Sequence, residues 1–157
     1  MTQSTLSELL ATDIAELFEE TFENVQGIYL DKGTSLFETL ATLSADEASR
    51  PVSATCSSIA GQVEHVRVYI AVLERYMRGE TVEEIDWDAT WQLQTVTSEE
   101  WTALIESLRD AYRSVRALMA TFTGWQGENE LAGALAILVH TAYHLGEIRQ
   151  ALCTIKA

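Results

Sequence analysis

Hydrophobic side chains recur at helical spacing in four long segments of this 157-residue chain. The first segment begins near Thr5, where Thr5 and Glu8 form a capping pair that can satisfy each other's backbone N–H groups. The remaining three segments span about 58–78, 97–122 and 129–155. Each is long enough to form a helix with one apolar face.

Shorter elements lie between the first two long segments. Two further capping pairs, Ser35 with Glu38 and Ser44 with Glu47, predict a short helix and one extra turn. Pro51 ends this part because proline cannot continue a helix.

Residues 80–97 are acidic and aromatic and show no clean period, which predicts a long connection between the second and third long helices. No segment alternates as a convincing strand does. The pattern therefore predicts an all-α fold, a four-helix bundle with a short extra helix, in a single domain that spans residues 1–157.

Composition narrows the classes of partner. The chain has 24 acidic and 10 basic residues, a formal net charge of −14, and no basic stripe. Such a surface repels nucleic-acid phosphates and anionic lipid, so we expect neither nucleic-acid nor membrane binding. Residues 1–11 lack the pattern of a signal peptide, and no apolar stretch reaches the ~20 residues of a membrane span. We expect a cytoplasmic protein in which Cys56 and Cys153 are buried and reduced.

Candidate chemistry is concentrated in the histidines. His140 and His144 are four residues apart in the last helical segment, so they share one helix face. The remaining histidine, His65, lies mid-helix among apolar residues and is a candidate third metal ligand. From spacing alone two alternatives stay open: the pair is exposed on the surface, or it is hydrogen-bonded in the core without metal.

Three motifs resemble the DinB/YfiT-like family of metalloenzymes. Residues 140–150, HTAYHLGEIRQ, look like the family's C-terminal HxxxH signature, and residues 57–65 are similar to the second-helix motif that ends in histidine. Residues 43–47, ahead of Pro51, fit the family's short turn. The resemblance implies an up-down-down-up four-helix bundle, frequent homodimers, and a divalent metal bound by His65, His140 and His144. Zinc is the first candidate, with nickel, iron, copper or manganese as alternatives.

Other residues are expected near these ligands. Glu147 shares their helix face and can hydrogen-bond an imidazole, act as a base on a water at the metal, or be a solvated or structural carboxylate. Gln62 and Tyr69 are candidates for contacts behind the ligands from the facing helix. Tyr143 and Arg149 lie off this face, and Arg149 is interpreted as a helix-capping or interface residue.

The chain also contains four tryptophans, Trp87, Trp91, Trp101 and Trp125. They are interpreted as core or interface anchors, with a pocket wall over the metal as the alternative.

The family includes thiol-dependent S-transferases and isomerases and amide hydrolases. The resemblance therefore implies a metal-dependent enzyme that acts on a small molecule, such as a low-molecular-weight thiol, by S-transfer or hydrolysis. The alternative is a non-catalytic helical dimer that binds metal or serves a stress response.

Overall fold

A computed structural model describes residues 5–157, which form six α-helices and one 3₁₀ helix and contain no strand. The all-α class predicted from the sequence is confirmed. The elements are α1 (Leu6–Phe22), α2 (Leu36–Leu40), α3 (Ala45–Ala48), α4 (Ile59–Met77), the 3₁₀ helix (Asp88–Trp91), α5 (Ser98–Met119) and α6 (Glu130–Ile155).

Local capping sets where four of these helices begin. In each, the side chain before the helix accepts from the N3 backbone N–H, and the N3 glutamate accepts from the cap's own N–H. The pairs are Thr5–Glu8, Ser35–Glu38, Ser44–Glu47 and Thr97–Glu100. All four predicted capping boxes are confirmed. They could be predicted from the sequence because each box joins residues only three apart.

Helix α4 is the central element of the packing. It contacts both α5 and α6 along their lengths and also touches the 3₁₀ helix, while α1 packs against α6. Ile59, Val63, Val66 and Ile70 are almost fully buried along α4, and Ile137 is fully buried on α6. This arrangement brings His65 on α4 to the face of α6 that carries the other two histidines.

The sequence was expected to contain no stretch long and apolar enough for a membrane span, but helix α6 meets both criteria, with a mean hydropathy of 1.3 over 18 residues. However, 44% of that window is buried inside the structure, and the helix packs against α4 and α1.

Arg149 donates from Nη1 to Thr39 Oγ1 at 3.3 Å, so it ties α6 to α2 and does not cap a helix.

The predicted burial of the cysteines is wrong, because Cys56 and Cys153 are both exposed. Cys56 lies in the irregular segment before α4, where its Sγ accepts from Ser53 Oγ at 3.1 Å. Cys153 lies near the C-terminal end of α6, on the outer side of the helix. The expectation rested on the small number of cysteines and the absence of a CxxC arrangement, and neither feature determines burial.

A buried carboxylate organises the turn after α1. Glu20 is fully buried and accepts backbone N–H bonds from Gln26, Ile28, Tyr29 and Leu30 at 2.6–3.0 Å. Burial alone raises the pKa of this carboxyl, but the four donors outweigh it and lower the pKa to about 2. The helical pattern did not identify Glu20, because its partners lie in a loop without a period.

We expect Glu20→Gln to destabilise the fold by about 2 kcal/mol at pH 7, since an amide cannot accept from all four donors. The folded pKa, about 2, is below the ordinary value of 4.5, so the charge stabilises the fold above pH 4.5. That contribution is lost as the pH falls through 2. Urea unfolding from pH 7 to pH 3 should therefore show the difference between wild type and variant narrowing with acid. The exposed Glu16→Gln is the matched control, and an equal loss there would contradict the assignment.

Candidate metal centre

Three imidazoles meet between α4 and α6. The ring centroids of His65, His140 and His144 form a near-regular triangle with sides of 4.6, 5.1 and 5.2 Å. One ring nitrogen from each residue lies within 4.8 Å of those of the other two, so the group can hold a metal ion. The three candidate ligands predicted from the sequence are thus brought together.

A hydroxyl behind His65 determines which nitrogen of this ring is free. Thr90 Oγ1 donates to the carbonyl of Trp87 at 2.7 Å and lies 2.7 Å from His65 Nδ1. Since the hydroxyl has one hydrogen and it is used, Nδ1 must donate to Thr90. His65 Nε2 therefore keeps its lone pair and can bind a metal.

His144 is held in the same way by different groups. Its Nδ1 lies 3.0 Å from Glu147 Oε2 and 3.3 Å from Gln62 Oε1. Both oxygens can only accept, so Nδ1 carries the hydrogen and Nε2 is the nitrogen left with a lone pair. Of the roles open to Glu147, this geometry favours the hydrogen bond to an imidazole. Gln62, predicted to lie behind the ligands, contacts the same atom.

His140 has a nitrogen that is not satisfied within residues 5–157. Its Nε2 is buried without a hydrogen-bond partner, and the Tyr69 ring stacks on the imidazole at 3.7 Å with an interplanar angle of 13°. A buried polar atom without a partner is costly, and a metal ion would satisfy it. The residues present therefore fit a divalent cation, and Tyr69 restricts the orientation of this ring.

The electrostatics keep all three imidazoles neutral near pH 7, which is the form that binds metal. Burial lowers the pKa of His65. Burial and then the neighbouring histidines lower the pKa of His140 to about 4, against an opposing effect of Glu147. Burial and then His65 lower the pKa of His144 to about 4.

A glycine on α4 lets the long connection approach the centre. A Cβ at Gly61 would lie 2.9 Å from the Leu93 carbonyl oxygen, so a larger residue would push the connection away. Gln94 follows and accepts from the Ser58 N–H at 2.8 Å, which fixes the connection at the start of α4. Thr90 lies just upstream on the 3₁₀ helix and so reaches His65.

The tryptophans divide between the two predicted roles. Trp101 is a core anchor, buried with its indole N–H donating to the Leu43 carbonyl at 3.2 Å. Trp91 stacks on His65 at 4.0 Å, and the Trp87 centroid lies 6.0 Å from the same ring. The favoured interpretation as core or interface anchors is therefore wrong for these two, which form a wall beside the centre.

A cavity of about 630 Å³ opens next to the site. Gln62, Trp91 and Glu147 line it, so it shares three residues with the surroundings of the imidazoles. Cys56 and Tyr143 also border it. A small molecule in this cavity would lie beside the metal centre.

The helical pattern does not identify Thr90, which holds His65 from 25 residues away along the chain. We expect Thr90→Val to weaken zinc binding by about 10- to 100-fold, because His65 Nδ1–H would be buried without an acceptor. Thr90→Ser should restore most of the affinity. Zinc affinity is measured by competition with a chromophoric chelator. The exposed Thr95→Val, in the same connection, should bind zinc as the wild type does. Wild-type affinity in Thr90→Val would rule out this role.

Comparison with known proteins agrees with this geometry. The family model described as the DinB superfamily matches residues 30–148, about three quarters of the chain, and includes all three histidines. No curated protein and no solved structure matches the chain. The extent of the family match establishes that this chain belongs to the DinB superfamily.

Proposed function

We propose that this protein is a divalent-metal-dependent enzyme whose ion is bound by His65, His140 and His144. The observation that carries the proposal is the state of the three rings. Two have Nδ1 engaged by outer acceptors, and the third has a buried Nε2 without a partner in the described chain. We further propose that α1, α4, α5 and α6 form an up-down-down-up bundle. The packing of α4 on α5 and α6, and of α1 on α6, supports this course.

Three imidazoles leave coordination positions open, as in catalytic sites. When bound, the ion supplies a Lewis acid that polarises a substrate or favours deprotonation of a water or thiol. The protein residues position the ligands: Thr90 orients His65, Glu147 and Gln62 orient His144, and Tyr69 packs on His140. Because Oε2 of Glu147 is engaged by His144, a role as a base would fall to its other carboxylate oxygen.

We propose metal-assisted S-transfer with a low-molecular-weight thiol as the first reaction class, and hydrolysis as the second. The adjacent cavity supports a small-molecule substrate because residues from three parts of the chain line it. Zinc is the first candidate metal, while nickel, iron, copper and manganese stay as alternatives because imidazole suits several ions.

We expect His144→Ala to lose metal, with affinity reduced on the order of a hundredfold or more, since it removes a ligand and not an outer contact. The test uses elemental analysis of protein purified without an affinity tag. Cys153→Ser, on the same helix and exposed, is the control and also tests whether that thiol binds the ion. Equal metal content in wild type and His144→Ala would disprove the site.

The same preparations distinguish a metal-dependent enzyme from a protein that binds metal without catalysis. Zinc-loaded protein is offered a thiol together with an electrophilic acceptor, and separately a set of amides. Turnover that disappears in His144→Ala supports the enzyme. Metal binding without turnover of either class would favour the non-catalytic alternative.

We also propose that a second copy of this chain binds the exposed side of α6. Leu135, Val139 and Tyr143 are 42%, 66% and 61% exposed and lie four residues apart, on one face. Residues 131–146 contain no aspartate, glutamate, lysine or arginine. Two chains of net charge −14 repel each other elsewhere, so their approach is least unfavourable through this uncharged face.

Val139→Glu is expected to convert the dimer to a 17.5-kDa monomer, because it places two like charges in the contact. Sedimentation equilibrium measures the mass. Ser107→Glu, which adds the same charge at an exposed position on α5, should stay dimeric. A monomeric wild type would refute the interface.

The remaining expectations stay predictions from composition. These are a single domain spanning residues 1–157, a cytoplasmic location, and no binding of nucleic acid or membrane. The charge of −14 supports the last of them.

A further inference from the structure

Resting on the proposed function, we propose that the cavity beside the metal centre binds an organic cation. The substrate would be a small molecule whose reactive end reaches the three histidines and whose other end carries an ammonium group. The thiol class named above is thereby narrowed to thiols with a positively charged tail.

The charge of the cavity lining is the first argument. Glu147 is the one charged residue among those that line the cavity, in the part of the chain that the structure describes, and no lysine or arginine accompanies it. An anionic tail would meet a carboxylate and would lose its hydration without a partner. A cationic tail would pair with Glu147, whose side chain is 42% exposed.

The geometry of Glu147 leaves it able to bind a ligand. Its Oε2 is engaged by His144 Nδ1 at 3.0 Å. The carboxylate also accepts from the Tyr143 hydroxyl, which raises the pKa of that phenol. The two carboxylate oxygens together have about four lone-pair sites, so these two donors leave accepting capacity for a ligand. The same side chain can therefore orient His144 and neutralise a bound cation.

Aromatic rings complete the site. Trp91 has one face covered by His65, which stacks on it at 4.0 Å with an interplanar angle of 17°, and its indole also borders the cavity. Tyr143 borders the cavity as well, and its ring centroid lies 5.0 Å from that of His144. Aromatic faces attract cations, and aromatic rings combined with a carboxylate suit a quaternary ammonium group.

The field of the whole chain acts in the same direction. With a net charge of −14, the protein attracts cations at long range, and a cleft that contains a carboxylate strengthens this effect locally. The three histidines would hold an ion that could attract the opposite end of the substrate, a thiolate or another electron-rich group. The site would thus select a molecule that has a positive charge at one end and a thiolate or another electron-rich group at the other.

The first experiment examines the cavity without a thiol. Choline and its neutral carbon isostere, 3,3-dimethylbutan-1-ol, are titrated into zinc-loaded protein and followed by tryptophan fluorescence. We expect choline to bind about tenfold more tightly, and added salt to reduce the difference. Equal or weaker binding of choline would overturn the cation site, whatever the metal centre does.

The second experiment joins the cavity to the metal. Cobalt-substituted protein is titrated with thiocholine, 3,3-dimethylbutane-1-thiol and 2-mercaptoethanesulfonate, and the sulfur-to-cobalt charge-transfer band is recorded. After each affinity is corrected for the thiolate fraction of that thiol, we expect thiocholine to bind most tightly, 3,3-dimethylbutane-1-thiol less tightly and 2-mercaptoethanesulfonate least tightly. A reversed order would overturn the inference. Absence of the band with all three thiols, while choline still binds, would instead refute the thiol chemistry of the proposed function.

Variants locate the selectivity. Glu147→Gln keeps an oxygen that can accept from His144 and removes the charge, so the ratio of choline to isostere affinity should fall severalfold. Glu106→Gln removes the same charge at an exposed position on α5, outside the cavity lining, and should keep the wild-type ratio. An unchanged ratio in Glu147→Gln, or an equal fall in both variants, would show that the carboxylate in the cavity does not select the cation.

Discussion

The packing of α4 against α6 is the constraint on which the candidate site depends. His65 is buried on α4, and it meets two histidines that α6 presents one turn apart. Close contact is possible because a small residue lies where the two helices meet: a Cβ at Gly133 on α6 would collide with the Met77 side chain on α4. Any change in the register of these helices would separate the three imidazoles.

Each imidazole that is placed in this core has a different partner. Thr90 accepts from His65, Glu147 and Gln62 surround Nδ1 of His144, and the Tyr69 ring covers His140. For the first two rings, these contacts decide the tautomer before any metal arrives. They also reduce the cost of burying polar rings among apolar helices. The outer nitrogens of His65 and His144 are thus satisfied, and their other nitrogens are pre-organised to bind an ion.

The surroundings of the centre differ from side to side. Tyr69 and Trp87 pack against each other with centroids 5.8 Å apart and cover one flank. On another flank the cavity begins, bordered by Gln62, Trp91 and Glu147. This asymmetry gives a small molecule one direction of approach, past a carboxylate and an aromatic ring. Reactivity would come from the ion, and selectivity from the residues of this approach.

Local patterns along the chain are enough to predict the helices and the pair of histidines on α6. Capping boxes and the i, i+4 spacing involve residues three or four apart, so their bonds form wherever the local chain is helical. The roles of Glu20, Thr90 and Trp91 and the exposure of the cysteines depend instead on long-range packing. Glu20 contacts an irregular segment, and Thr90 contacts a helix residue 25 positions away along the chain. No periodic sequence pattern predicts either partner. His65 lay between these cases: its type suggested a ligand, but only the contact of α4 with α6 brings it to the other two rings.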